Sequence, residues 1–500
     1  MQNKYKSLIV YTLLAGIVVA GFFFRLQGIL DNHSFWSDEA FVAGLGRNIL
    51  LGKMTFFQAT KILNYQPLNI LLTVASLKLF GFTEFATRFP IVLFGTLGII
   101  ASFLLARKLS DSYGGLLAAF LYAFSQLNLA NHTQAKPHSI LQTLLIFDLY
   151  LITILDASKK KSYIHCGIIV LSLLSTLFHI LGFIIWLPYI TYLVTTQRKN
   201  LLQFNYQKAG VSLVVLLLFL LTFYFTSGLD RLKQLIGPGG IHIIVAKNNI
   251  TYLREILWKN YSFITLPSIF GLMISFKKNK AVAISIMSWV LVLLYLWTFR
   301  AFHNLRYLLP FFGLLFVFFG VFWSEIAKRV FNKSTLSVCF FVAVIIFAGG
   351  YKITRFPQKF YNPNQDFYGD VQIANYKLMY GFIKNKYPDI SRIGVFNDAW
   401  DAQYWYLSEK ASDVYFLNPL SKPYSNNVDG HMVYGTLKDF LHEKEKFKKG
   451  ILIVEDWDSL LPDDIKSYAK SNLTREFRTD SIPQAKNDPW PLEVYSWETK

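Results

Sequence analysis

Leu8-Ile9-Val10-Tyr11-Thr12-Leu13-Leu14-Ala15-Gly16-Ile17-Val18-Val19-Ala20-Gly21-Phe22-Phe23-Phe24, closely followed by Ser34-Phe35-Trp36-Ser37-Asp38-Glu39, is the stretch from which the fold is read. An apolar run of this kind crosses the ~30 Å hydrocarbon core only as a helix, because every backbone polar group must be satisfied within its own segment. The crossing delivers two adjacent carboxylates to the far bilayer face. Charged groups there are costly to desolvate, so a retained pair points to chemistry at the membrane surface.

The rest of the chain agrees with a lipid setting. Of 500 residues, 53% are hydrophobic and 16% charged, where a soluble protein carries about a quarter charged residues. The net charge of +19 is not a nucleic-acid signal. Its Lys and Arg sit largely in short clusters between apolar runs, as in loops facing a cytoplasmic leaflet. Cys166 and Cys339 both lie inside apolar runs, which excludes a disulfide framework. No small-residue cleavage pattern follows the first run, which therefore reads as an uncleaved span.

Eleven stretches are long enough, or nearly so, to cross: Leu8–Phe24, Phe89–Ala106, Leu116–Ala130, Ile140–Leu155, Tyr163–Leu177, Ile180–Val194, Val211–Thr226, Phe263–Phe276, Ala281–Thr298, Tyr307–Trp323 and Leu336–Gly349. Pro67–Phe80 is ambiguous, and loop charge decides it. If it does not cross, the clusters at Arg107/Lys108, Lys159–Lys161, Arg198/Lys199, Lys277/Lys278/Lys280 and Lys328/Arg329/Lys333 share a side with Lys4 and Lys6. If it crosses, all of them move to the opposite side, against the positive-inside rule. Pro67–Phe80 is thus expected as a re-entrant or surface helix within the first outer loop, 26–88. The N-terminus is then cytoplasmic and the C-terminus outside.

The fold class expected is an α-helical polytopic membrane protein of about eleven transmembrane helices, residues 1–350, with a small C-terminal extracytoplasmic α/β domain, residues 351–500. In the tail, β-branched runs at Ile393–Phe396, Val414–Leu417 and Ile451–Val454 alternate with helix-like Asp370–Lys384 and Thr436–His442. Gly349-Gly350 marks the junction. No internal repeat is visible, which disfavours a transporter of inverted halves.

Asp38 and Glu39 precede a helix-like run from Ala40 to Leu51. The structural alternative is that Ser37 caps this helix while the acids interact with its positive end. That explains neither the aromatic pair Phe35-Trp36 nor the position at a bilayer face.

A first span followed by a Trp-x-Asp-Glu element resembles the GT-C glycosyltransferases, in particular the protein mannosyltransferase and aminoarabinose transferase branch (family 39-like). Further stretches match in order. Gln66-Pro67-Leu68, Lys78-Leu79-Phe80-Gly81 and Glu84-Phe85-Ala86-Thr87-Arg88-Phe89-Pro90 resemble the branch's passage from the first outer loop into the second span. Gln134-Ala135-Lys136-Pro137-His138-Ser139 resembles its second-loop pattern, with Lys136 and His138 where Arg and Tyr are usual. Arg306-Tyr307-Leu308-Leu309-Pro310 resembles its Arg-Tyr-x-x-Pro element. The resemblance covers residues 1–320; the tail matches only in being an outer domain.

The resemblance implies an enzyme, a polyprenyl-phosphate-sugar-dependent hexosyl- or pentosyltransferase. It moves a monosaccharide from the polyprenyl-phosphate donor to an acceptor hydroxyl at the outer face, with inversion. Asp38 is the implied general base, with Glu39 orienting the acceptor or Asp38 itself. A departing phosphate favours Arg for its bidentate fork, so Arg88 and Arg306 are substrate-binding candidates. Lys136, His138, Tyr307 and Trp36 complete the set. The structural alternative for both arginines is snorkelling at helix ends.

Tyr65-Gln66 and Gln134-Ala135 stand where some relatives place metal-holding acids, and Glu84 is the one nearby extra carboxylate, within reach of Arg88 on a helix. No cofactor is called for, and a divalent metal is left open. The partners implied are the donor, membrane lipid, and an acceptor that is a glycolipid, glycan or protein; nucleic acid is not among them. Composition leans to a bacterial plasma membrane. The rival readings are a transporter or flippase for a lipid-linked or small polar substrate, and a non-catalytic assembly factor whose tail presents Trp400, Tyr404, Trp405 and Tyr406 as a binding surface.

Several patterns carry no function. Gly44-x-Gly46 lacks the strand and third glycine of a nucleotide fingerprint. Gly237-Pro238-Gly239-Gly240 is a turn, and Asp456, Asp458, Asp463 and Asp464 read as a solvated face. The sequons at Asn131, Asn249 and Asn472 face outward on this topology.

Overall fold

A computed structural model describes residues 2–63, 66–155, 158, 160–202, 217, 220–221, 250–299, 305–330, 335–350, 352–361, 374–398, 400–407, 412–416, 422–425, 431–455, 459–481 and 491–499. It divides into two compact units: Met1–Asp31, Asn64–Leu72 and Arg88–Gly369; and Asn32–Leu63, Thr73–Thr87 and Asp370–Lys500.

The first unit is helical. Its main helices are α1 (Gln2–Leu30), α5 (Glu84–Leu109, of which the part from Arg88 belongs here), α6 (Ser112–Phe124), α7 (Gln126–His132), α8 (His138–Leu155), α9 (Lys161–Phe178), α10 (Trp186–Leu202), α11 (Ser262–Lys278), α12 (Lys280–Phe299), α13 (Leu309–Arg329) and α14 (Thr335–Gly349). Five helical stretches among the described residues are long and apolar enough to cross a membrane: Ser7–Leu30, Glu84–Leu109, His138–Leu155, Lys161–Phe178 and Leu305–Arg329. The last is the most enclosed, with Phe312, Phe316, Val317 and Phe319 inside one large apolar core. A helix apolar all round is stable when its whole surface is covered by other helices or lipid.

Two expected spans are interrupted. Leu116–Ala130 is broken at Ser125, whose extended backbone (φ −56°, ψ 128°) ends α6 and whose hydroxyl caps α7. Breaking a helix frees backbone groups that must find partners. Here they pair with the segment after α14: the Gln126 N–H donates to Lys352 O at 3.0 Å, and the Thr354 N–H to Phe124 O at 2.9 Å. The Ile180–Val194 stretch starts as a 3₁₀ turn, Ile180–Ile185, before continuing as α10. Gly350 at φ +62° stops α14, a conformation that glycine adopts without steric cost. The Val211–Thr226 span lies almost wholly outside the described residues. So do most of Ser227–Tyr261, including Gly237-Pro238-Gly239-Gly240 and Asn249, and the residues 300–304.

The second unit holds α2 (Ser37–Leu50), α3 (Phe56–Ile62) and the later part of α4 (Pro67–Phe80), together with the C-terminal sheet domain. Its strands are β1 (Gly394–Asn397), β2 (Ser412–Phe416), β3 (Tyr424–Ser425), β4 (Met432–Tyr434), β5 (Lys449–Glu455), β6 (Thr474–Thr479) and β7 (Leu492–Glu498). They form one mixed sheet in the order β3-β4-β2-β1-β5-β7-β6. β1 pairs in parallel with β2 and β5, while β7 runs antiparallel to both β5 and β6. The period of two along each strand feeds two cores. Val395, Ile451, Ile453 and Val494 enter one with α15 (Tyr376–Lys386) and α16 (Trp400–Tyr406). Phe396, Leu452, Val454 and Tyr495 enter the other with α17 (Leu437–Glu445) and α18 (Asp463–Asn472). The expected strands at 393–396, 414–417 and 451–454 coincide with β1, β2 and β5.

Candidate functional site

The site residues fall in both compact units, and each group is built from its own surroundings. In the second unit, α2 begins at Ser37 with Trp36 at the N-cap position. Ser37 is therefore inside the helix and not its cap, as the structural alternative had it; Glu39 Oε2 accepts the Trp36 backbone N–H at 3.1 Å. Glu39 is fully buried, whereas Asp38 is exposed. The positive end of the helix favours both as carboxylates. One acid thus holds the turn while its neighbour faces outward.

The helix beneath them is fixed by α16. Arg47 sends Nη1 to Trp405 O at 2.6 Å and Nη2 to Tyr404 O at 2.7 Å, and its guanidinium stands 5.4 Å from the centre of the Trp405 ring. The Tyr406 hydroxyl accepts the Phe35 N–H at 2.9 Å. Gly44 lies so close to Tyr404 that a Cβ would stand 2.4 Å from its ring. Tyr404, Trp405 and Tyr406 are all buried, which corrects their reading as a binding surface: they are the packing that holds the acidic turn. The Gly44-x-Gly46 spacing reflects close packing, since a Cβ on Gly46 would meet Thr73 at 2.9 Å. Glu84 takes Lys377 Nζ at 3.1 Å, an ion pair that the sequence does not suggest.

In the first unit, the turn between α7 and α8 sets His138 at the head of α8 with only 6% exposure. Neither of its ring nitrogens has a hydrogen-bond partner. Its ring centre lies 4.9 Å from that of His179 and 4.9 Å from that of Tyr307. Arg306 stacks over Tyr307 at 5.3 Å, and His179, Arg306 and Lys136 are the titratable groups that His138 faces. The structure so brings together Lys136, His138, Arg306 and Tyr307, and adds His179. That residue was missed because it sits mid-run between two apolar stretches, at the break where its Nδ1 accepts the Leu181 N–H. Arg88 is fully buried, so it does not snorkel. His303, whose imidazole reads from the sequence as another potential donor to phosphate or sugar, lies outside the described residues.

Behind His138 lies a buried polar lattice. Arg25 is fully buried and donates to Gly21 O (2.8 Å), Ala123 O (3.0 Å), Tyr122 O (3.2 Å) and, through Nε, His132 Nδ1 (3.1 Å). His132 Nε2 then meets Gln142 Oε1 at 2.8 Å, and Gln142 Nε2 donates to Leu309 O at 2.7 Å. With Arg25 donating to Nδ1, the imidazole carries its proton on Nε2. Gln142 is one turn beyond His138 and Leu309 three residues beyond Arg306, so the lattice ties together the elements that present the cluster. Asn131 is buried and spends its amide on Leu127 O at 2.9 Å, which removes it as a glycosylation site.

An unpartnered buried imidazole among Lys, Arg and a phenol is a place for an anion, since buried polar atoms in folded proteins are otherwise satisfied. Among the described residues, no group of three or more His, Cys, Asp or Glu is arranged to hold a metal ion.

A profile of the dolichyl-phosphate-mannose-protein mannosyltransferase family matches residues 66–225. No curated protein sequence matches the chain. Among solved structures, ArnT from Cupriavidus metallidurans in the apo state superposes with a TM-score of 0.61 at 11% identity, covering 98% of each chain. The same protein bound to undecaprenyl phosphate gives 0.58 at 13% identity over 97% of each chain. The archaeal oligosaccharyltransferase AglB from Archaeoglobus fulgidus, in complex with an inhibitory peptide and a dolichol-phosphate, gives 0.56 at 11% identity, covering 90% of this chain and 70% of that one. These identities establish a shared fold.

Proposed function

We propose that this chain is an integral membrane glycosyltransferase that moves a monosaccharide from a polyprenyl-phosphate carrier to an acceptor hydroxyl at the outer membrane face. The observation that carries the reading is His138, buried with both ring nitrogens unpartnered and faced by Lys136 and Arg306. This is the chemistry that a departing phosphate requires. The fold shared with a protein crystallised with undecaprenyl phosphate supports the same class of donor.

In the reaction, the exposed Asp38 carboxylate takes the proton of the acceptor hydroxyl. That oxygen attacks the anomeric carbon as its bond to the phosphate oxygen breaks, and polyprenyl phosphate leaves with the electron pair. Lys136, Arg306 and Arg88 stabilise the developing charge, preorganised donors being worth most where water is excluded. Tyr307 and His138 donate to the phosphate oxygens. Trp36 offers an apolar face to the sugar, and Glu39 positions Asp38 by holding the first turn of α2. Direct attack gives inversion.

Membranes containing the protein, supplied with a panel of polyprenyl-phosphate sugars and scored for donor consumption and product anomer, test this. Consumption of at least one donor with an inverted product is expected. Retained configuration, or transbilayer movement of an unconsumed donor, would replace this reading with a double-displacement enzyme or a flippase.

A further inference from the structure

The sheet domain ends at β6, and its irregularity creates something the sequence conceals. In an unbroken strand, positions 475 and 478 face opposite sides of the sheet. Here the register shifts between Arg475 and Phe477, so that Arg475 lies opposite Tyr495 and Arg478 opposite Glu493. Glu493 and Tyr495 are two apart on β7 and share a face. The bulge therefore turns both guanidinium groups onto one face. On α18, Lys466 and Lys470 are one turn apart and also share a face. All four cations line a single pocket of about 620 Å³, with Glu493 and Tyr495 in its wall.

The charge inside is unbalanced. Glu493 is nearly buried and takes Arg475 Nη1 at 3.0 Å, Arg478 Nη1 at 3.8 Å and the Tyr495 hydroxyl at 2.8 Å. It braces both arginines and neutralises one charge. Among the described residues Lys466 pairs only with the 94% exposed Asp463, at 3.6 Å, and Arg478 Nε stands 3.6 Å from Asp480. Lys470 has no ion-pair partner among the described residues.

We propose that this pocket binds a phosphate group of at least two negative charges, as a phosphomonoester or diphosphate. Two guanidinium forks fit phosphate oxygens bidentately while two ammonium groups add charge. A merely solvated basic face has no need of a bulge that aims two side chains at a concave wall, nor of a buried carboxylate that holds them there. The phosphate arrives either on a lipid headgroup or on a ligand outside the bilayer.

The test uses the intact protein in phosphatidylcholine nanodiscs, titrated calorimetrically with inorganic pyrophosphate. Saturable binding that weakens with added salt is expected. The paired change Arg475→Gln and Arg478→Gln should lower affinity about tenfold or more, Arg475→Lys with Arg478→Lys should lower it less, and Glu493→Gln should raise it. The lysine pair and Glu493→Gln carry the test if the glutamine pair alters the melting curve. Absence of binding, or equal affinity in all the variants, overturns the proposal. Phosphatidic acid added to the disc separates the sources: competition with pyrophosphate supports a lipid headgroup, and its absence supports a phosphate presented from outside the bilayer.

Discussion

Asp38 is exposed while Glu39, one residue later, is buried with its carboxylate returned to the Trp36 N–H. The pair was legible in the sequence as a pair, from its place after an apolar run. The division of labour was not, because it depends on where the helix starts, and a serine before two acids reads as a cap. Asp398 shows the same limit. It is buried, with Oδ2 accepting from the Ser459 hydroxyl at 2.7 Å and the Leu461 N–H at 2.9 Å, while Oδ1 has no partner. Burial raises its carboxyl above the ordinary range, and these hydrogen bonds only partly oppose it. A raised folded-state value means that Asp398 favours folding most below the unfolded carboxyl pKa, and that this is lost as pH rises through the folded value. Asp398→Asn can keep both acceptor contacts without titrating. Its melting temperature relative to wild type should therefore rise as pH climbs above about 4, the unfolded carboxyl value; a pH-independent difference would show that burial does not set this carboxyl.

Element by element, legibility followed pattern strength. The apolar runs and the three central strands could be read, since periodicity and β-branching are local signals. The break at Ser125 could not, because the partners that make it tolerable, Lys352 to Thr354, come from a distant part of the chain. The Arg25–His132 contact spans 107 positions and leaves no local trace. The short helix α16 has no repeating apolar pattern, so its aromatic residues looked like surface. Its packing on α2 leads to a prediction. Gly44→Ala forces a Cβ into the Tyr404 ring, and overpacking of this kind costs about 1–3 kcal/mol. The protein should still insert into the membrane, with a lower melting temperature and reduced transfer. Arg47→Ala, which leaves the Tyr404 and Trp405 carbonyls without their donor, should do likewise. Unchanged melting in both variants would mean that α16 does not hold the acidic turn.

At the scale of the whole molecule, composition and the charge of the loops were enough for a polytopic helical protein with a small sheet domain. They could not show that residues 32–63 and 73–87 pack as one compact unit with the tail, because the contacts responsible join segments hundreds of residues apart. The proposed function rests on the intact chain, and on one carboxylate above all. The most direct test is single-turnover transfer by Asp38→Asn in membranes, measured beside binding of the polyprenyl-phosphate sugar. Loss of a general base costs about 10²–10⁴-fold in rate. The account predicts a fall of that size with donor binding retained; transfer at the wild-type rate would contradict it.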